Sequence, residues 1–78
     1  MTRSGFLSAM EDILDVSKQT LRTEDSRDTL EQWTSLKDVQ IFHLITGEFG
    51  IEPDAELIEA ETVGDLVTIL QRRGAFRG

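Results

Sequence analysis

The chain has 78 residues, 38% hydrophobic and 29% charged, the balance of one small globular domain with a modest core. It has no cysteine and a single histidine, His43, which excludes disulfides, cysteine nucleophiles, histidine- or cysteine-built metal sites and a catalytic triad. Fifteen acidic against eight basic residues leave a net charge of −7, which argues against nucleic acid and points to solubility and to basic partner surfaces.

The first helix is predicted from about Ser4 to Asp15, with Ser4 as N-cap. Phe6, Leu7, Met10, Ile13 and Leu14 fall at i, i+1, i+4, i+7 and i+8, one apolar face. Glu11, Asp12 and Asp15 lie opposite and read as a solvated side. From about Val16 to Trp33 periodicity is lost. Ser17-Lys18-Gln19-Thr20 and Thr23-Glu24-Asp25-Ser26-Arg27-Asp28 are polar and rich in turn formers, so a long first loop is expected. Val16, Leu21 and Leu30 are its apolar anchors, and Trp33 is predicted to cover the core where the loop meets the next helix.

That next helix carries the longest apolar pattern. Leu36, Val39, Ile41, Phe42, Leu44, Ile45 and Phe49 keep helical spacing for about four turns. It is predicted to start at Ser35 or Leu36, with Ser35 and Asp38 in the [ST]-x-x-[DE] capping pattern, and to end near Phe49, with Gly50 closing it. Ile41, Leu44, Ile45 and Phe49 form the expected core stripe. Ser35, Val39 and His43 form a second stripe running down from the serine. Pro53 then marks a break. A short third helix over Asp54 to about Glu59 should turn Leu57 and Ile58 inward. Thr62-Val63-Gly64-Asp65 opens the last helix with a Thr-x-x-Asp cap; Val63, Leu66, Val67, Ile69 and Leu70 carry its apolar face, and Arg72 and Arg73 close it. Residues 74–78 are expected to fray, leaving an ordered core over about 4–73. The whole reads as an all-α, small four-helix bundle, three longer helices plus one short helix, forming a single domain over 1–78.

No apolar run at the start resembles a signal peptide and no segment is apolar over a bilayer's length, so a cytoplasmic, monomeric protein without membrane contact is expected. The carboxylates are spread over solvated faces without a paired base, which gives no basis for an enzyme. Ser35 is the residue of interest. Its ordinary explanation is a helix cap. It also stands where unpaired N–H groups and the positive end of the helix dipole favour a negative group, such as a phosphate ester.

Four blocks, in order, resemble the acyl carrier protein family, including carriers of polyketide and nonribosomal peptide assembly. Phe6-Leu7-Ser8-Ala9-Met10-Glu11-Asp12-Ile13-Leu14 is similar to the family's first helix, and Trp33-Thr34-Ser35-Leu36 to its Asp-Ser-Leu signature. Glu48-Phe49-Gly50-Ile51 is similar to the end of its second helix, and Thr62-Val63-Gly64-Asp65-Leu66-Val67 to the start of its last. The resemblance implies a non-catalytic carrier whose Ser35 bears a covalent 4′-phosphopantetheine arm, taken from coenzyme A by a separate Mg²⁺-dependent phosphopantetheinyl transferase. Acyl, aminoacyl or polyketide groups would ride on that arm as thioesters between loading and acyl-transferring enzymes. Thr34 stands where the family usually has Asp, and Lys37, Gln40, Thr46 and Gly47 where fatty-acid carriers often have acids. A dedicated pathway, with partners facing Thr34, Leu36, Val39, Gln40 and His43, therefore fits better than general fatty acid synthesis, and a free-standing carrier better than a piece of a megasynthase. The alternative is an unmodified adaptor of carrier fold that binds a partner through the second helix.

Overall fold

A computed structural model describes residues 1–77; Gly78 lies outside the described residues. The described residues form an all-α bundle of four helices: α1 (Arg3–Leu14), α2 (Ser35–Phe49), α3 (Ala55–Glu59) and α4 (Val63–Arg72). Among the described residues there is no strand, only an isolated antiparallel bridge between Ser26 and Thr62. None of their helices is long and apolar enough to cross a membrane.

Each helix begins on a short polar side chain that accepts a backbone N–H, as the unpaired first turn requires. In α1 that residue is Thr2, whose Oγ1 accepts from Gly5 at 3.0 Å. Ser4 is thus inside the first turn rather than the cap, because the extended backbone needed of a cap falls at Thr2. Asp15 ends α1 in the left-handed conformation, which a short carboxylate side chain tolerates better than most. In α4 both halves of the predicted capping box form: Thr62 accepts from Asp65 at 3.0 Å, and the Asp65 carboxylate accepts from Thr62 at 3.2 Å. A third bond, from the Glu61 N–H, adds to this. These backbone donors, Glu61 first, hold the Asp65 pKa below its ordinary value.

The core is one cluster gathered from all four helices: Phe6, Met10 and Leu14 of α1, Ile41 and Ile45 of α2, Leu57 of α3, and Val63, Leu66, Val67, Ile69 and Leu70 of α4. The full apolar face predicted for α4 is buried. In α2 the predicted stripe is buried at Ile41 and Ile45, whereas Leu44 and Phe49 are half-buried at its edges. Ile58, expected inward, is 56% exposed. A helix of five residues has room to aim only one large side chain at the core, and Leu57 takes that place.

One further expectation is corrected. Glu11 is not on a solvated face: it is 4% exposed, and its Oε2 accepts the N–H groups of Thr20 and Leu21 at 2.9 and 3.0 Å. Burial pushes its pKa up. The N–H groups of Leu21, Gln19 and Thr20, with the charge of Lys18, outweigh that and hold it below the usual glutamate range. The tail, over its described part, packs against the bundle. Ala75 donates to Leu70 at 3.0 Å, and the Phe76 ring lies 5.6 Å from both Phe6 and Phe49, a three-ring cluster that closes the end of the bundle. An aromatic side chain near a terminus retains enough burial gain to order it.

The loop across residues 15–34 takes no helix and is pinned at both ends. Val16, Leu21 and Leu30 pack on the core as predicted. Thr23 and Asp25 accept the first N–H groups of α4, from Gly64 at 2.8 Å and Val63 at 3.0 Å. Gly64 permits this approach, since a Cβ there would sit 3.1 Å from the Thr23 carbonyl oxygen.

Candidate functional site

Ser35 is the first residue of α2, and Thr34, not Ser35, is the N-cap. The extended backbone at Thr34, φ −93° and ψ 175°, puts its side chain over the helix start, while Ser35 already has helical geometry. The Ser-x-x-Asp box is therefore not formed. Asp38 lies one residue too far from the true cap to return a bond, and its carboxylate is used elsewhere. Ser35 is exposed, and its hydroxyl has no hydrogen-bond partner among the described residues. It is a free hydroxyl at the positive end of a helix of fifteen residues.

The surroundings of Ser35 are apolar on the outward side. Leu36 is 64% and Val39 50% exposed; with Ile58 they are the large hydrophobic side chains the fold leaves uncovered. Gln40 and His43 are exposed as well. Spacing by three and four puts Leu36, Val39, Gln40 and His43 on one outward face of α2, away from buried Ile41 and Ile45. The predicted stripe of Ser35, Val39 and His43 is thus on the surface as a unit. Below it a shallow cleft of about 460 Å³ is lined by Phe42, His43, Thr46, Gly47, Glu52 and Pro53.

The acid nearest the serine on α2 turns inward. Asp38 accepts a forked pair from Arg27, Nε to Oδ2 at 2.7 Å and Nη2 to Oδ1 at 2.9 Å, and its Oδ1 also accepts the Trp33 indole N–H at 2.6 Å. Trp33 is 3% exposed and packs with the core, as expected for a covering residue. Its indole bond to Asp38 and the Arg27 guanidinium 5.4 Å from its ring were not foreseen. Arg27 is the residue that sequence reasoning missed. Its one local signal is a lone cation within Glu24-Asp25-Ser26-Arg27-Asp28, and nothing in that segment names a partner eleven positions away.

No group of three or more histidine, cysteine, aspartate or glutamate side chains suited to a metal ion occurs among the described residues. What the chain presents for a phosphodiester is the unpartnered Ser35 hydroxyl with the N–H groups of the first turn of α2 beside it, a donor set that suits an oxyanion. Comparison with family models, with curated proteins and with solved structures gave no match for this chain.

Proposed function

We propose that this chain is a carrier protein that holds acyl, aminoacyl or polyketide intermediates on a 4′-phosphopantetheine arm esterified to Ser35. The observation that supports this most is the serine itself: exposed, free of hydrogen-bond partners among the described residues, and first in the longest helix. A cap serine would have its hydroxyl engaged with a backbone N–H. Here Thr34 does that work, so capping does not account for Ser35.

In this reading a transferase takes the arm from coenzyme A, and the Ser35 oxygen becomes one ester of a phosphodiester. The bound arm supplies the thiol that a cysteine-free chain lacks. The chain's own residues position and recognise. The first-turn N–H groups of α2 favour the phosphate charge electrostatically. Leu36, Val39, Gln40 and His43 offer partner enzymes an apolar, weakly charged surface next to the attachment point. That surface suits partners of a dedicated pathway better than partners that read an acidic helix. Charge reversal at Lys37 together with substitution of Val39 and His43 should lower transfer to the cognate enzyme, and unchanged transfer would remove this part of the reading.

The rival is an adaptor of the same fold that binds a partner through α2 without modification. Thr34 favours it, since a threonine caps the helix but offers a transferase no carboxylate. Intact mass separates the two, measured on wild-type and Ser35→Ala protein after incubation with coenzyme A, Mg²⁺ and a broad-specificity phosphopantetheinyl transferase. One arm gained by the wild type and none by Ser35→Ala is the result expected. No gain with transferases from several pathways, and none with Thr34→Asp, would leave the adaptor.

A further inference from the structure

The start of α2 is the most weakly capped of the four. Thr34 accepts from Lys37 at 3.5 Å, at the outer limit of a hydrogen bond, whereas the caps of α1, α3 and α4 close at 3.0, 3.1 and 3.0 Å. The helix that bears the candidate serine thus has the longest side-chain cap bond of the four, although its first backbone bond, from Asp38 to Thr34, closes at 3.0 Å. Contacts from outside the helix converge on the same place. Arg27 forks onto both oxygens of Asp38, a planar match of guanidinium to carboxylate that adds direction as well as attraction. Trp33 donates to the same carboxylate, with the guanidinium over its ring. Arg27 also reaches the Ala60 carbonyl at the end of α3, at 3.4 Å. Its loop is tied down by the bridge from Ser26 to Thr62 and by the bonds of Thr23 and Asp25 to α4. Trp33 and Asp38 flank Ser35 on either side along the chain.

We infer that Arg27 is a positioning residue for Ser35: with Asp38 and Trp33 it forms a clamp that replaces the weak cap, keeping α2 wound to its first residue and the serine outward. The inference rests on the carrier reading for its consequence and on geometry alone for the clamp. Without Arg27 the carboxylate of Asp38 loses its fork and the indole its ordered partner. The first turns of α2 then open more often, and the serine spends less time in the form a transferase docks on. A binding-competent state populated to a smaller fraction raises the apparent KM in inverse proportion to that fraction and leaves the chemical step as it was.

The test uses the full chain, as wild type, Arg27→Met, Arg27→Lys and Asp38→Asn. Amide hydrogen exchange is read at Asp38, Val39 and Gln40, against the α4 amides of Leu66 to Leu70, and transferase kinetics are read with coenzyme A as donor. In Arg27→Met, exchange at 38–40 is expected to quicken about tenfold while the α4 amides hold. The KM for the carrier should rise by the factor by which the closed fraction, read from exchange, falls, with kcat within about twofold of wild type. Arg27→Lys should restore little, because an ammonium cannot fork. If Arg27→Met also loses α4 protection, the milder Asp38→Asn decides, with the same local pattern expected. Unchanged exchange at 38–40 in a folded variant overturns the clamp. A closed fraction at least halved by exchange with KM unchanged, or a loss confined to kcat, overturns its role in presenting Ser35. A wild-type chain that takes no arm while exchange responds sinks the carrier reading and leaves the clamp standing.

Discussion

The two ends of this bundle's longer helices are built on opposite plans. At the start of α4 the cap is a closed box of two reciprocal bonds, the following face is buried from Val63 to Leu70, and the side chains beyond are engaged: Arg73 donates to Asp54 and Glu56, and Arg72 to Glu56. At the start of α2 the cap is long, the first large side chains are exposed, and order is imported from a loop through Arg27. A helix used as a wall can invest its whole apolar stripe in the core. In α2 the outer face stays uncovered, and the contacts that hold its start come from the other side.

The contrast is broken most directly by truncating the same residue type in both places. Leu70→Ala, at a fully buried position of α4, should cost about 2–5 kcal/mol of unfolding free energy by urea denaturation. Leu36→Ala should stay within about 0.5 kcal/mol of wild type, and comparable losses at the two sites would mean that Leu36 is packed after all. Next in size is the loop's other foothold. Glu11→Gln keeps an acceptor for Thr20 and Leu21 but loses its charge, at about 1–2 kcal/mol. Because the folded-state pKa of Glu11 lies below its unfolded value, its contribution is complete above the ordinary glutamate value and is lost as pH falls through the folded one. Wild type should therefore lose stability over that acid range by more than Glu11→Gln does. Equal acid sensitivity of the two would contradict the assignment.

A finer comparison lies in the caps. Thr62→Ala removes one arm of a closed box and should cost about 1 kcal/mol, whereas Thr34→Ala should cost clearly less, since its bond is already stretched. If Thr34→Ala costs as much, α2 depends on its own cap and the clamp is superfluous. Smallest, and opposite in sign, is Gly47→Ala. A Cβ there meets nothing within 4 Å, so thermal unfolding should register a gain of roughly 0.5–1 kcal/mol from helix propensity.

Which parts were legible in the sequence follows from the range over which each is specified. The capping box at Thr62 and Asp65, the end of α2 at Gly50 with φ 68°, and the buried face of α4 each depend on residues within about one or two turns, so local spacing announces them. The position of Ser35 at the mouth of α2 was legible for the same reason. Its exact capping relation was not: Thr34 and Ser35 are both competent caps, and the extended backbone that a cap needs falls at Thr34. Ile58 misled because a five-residue helix carries too little periodicity to say which of two adjacent apolar residues faces in.

By itself the sequence determined an all-α chain, the order of its four helices and most of their boundaries, since helix formation is decided by neighbours three and four positions apart. Only the tertiary structure decided where the charges and the tail go. Glu11 is buried under the turn of the loop, Asp38 is taken by Arg27 and Trp33, and Phe76 closes on Phe6 and Phe49. Each of these pairs residues from different elements of the fold. A carboxylate or a ring has no local pattern that distinguishes water from a distant partner, so its environment exists only once the helices have packed.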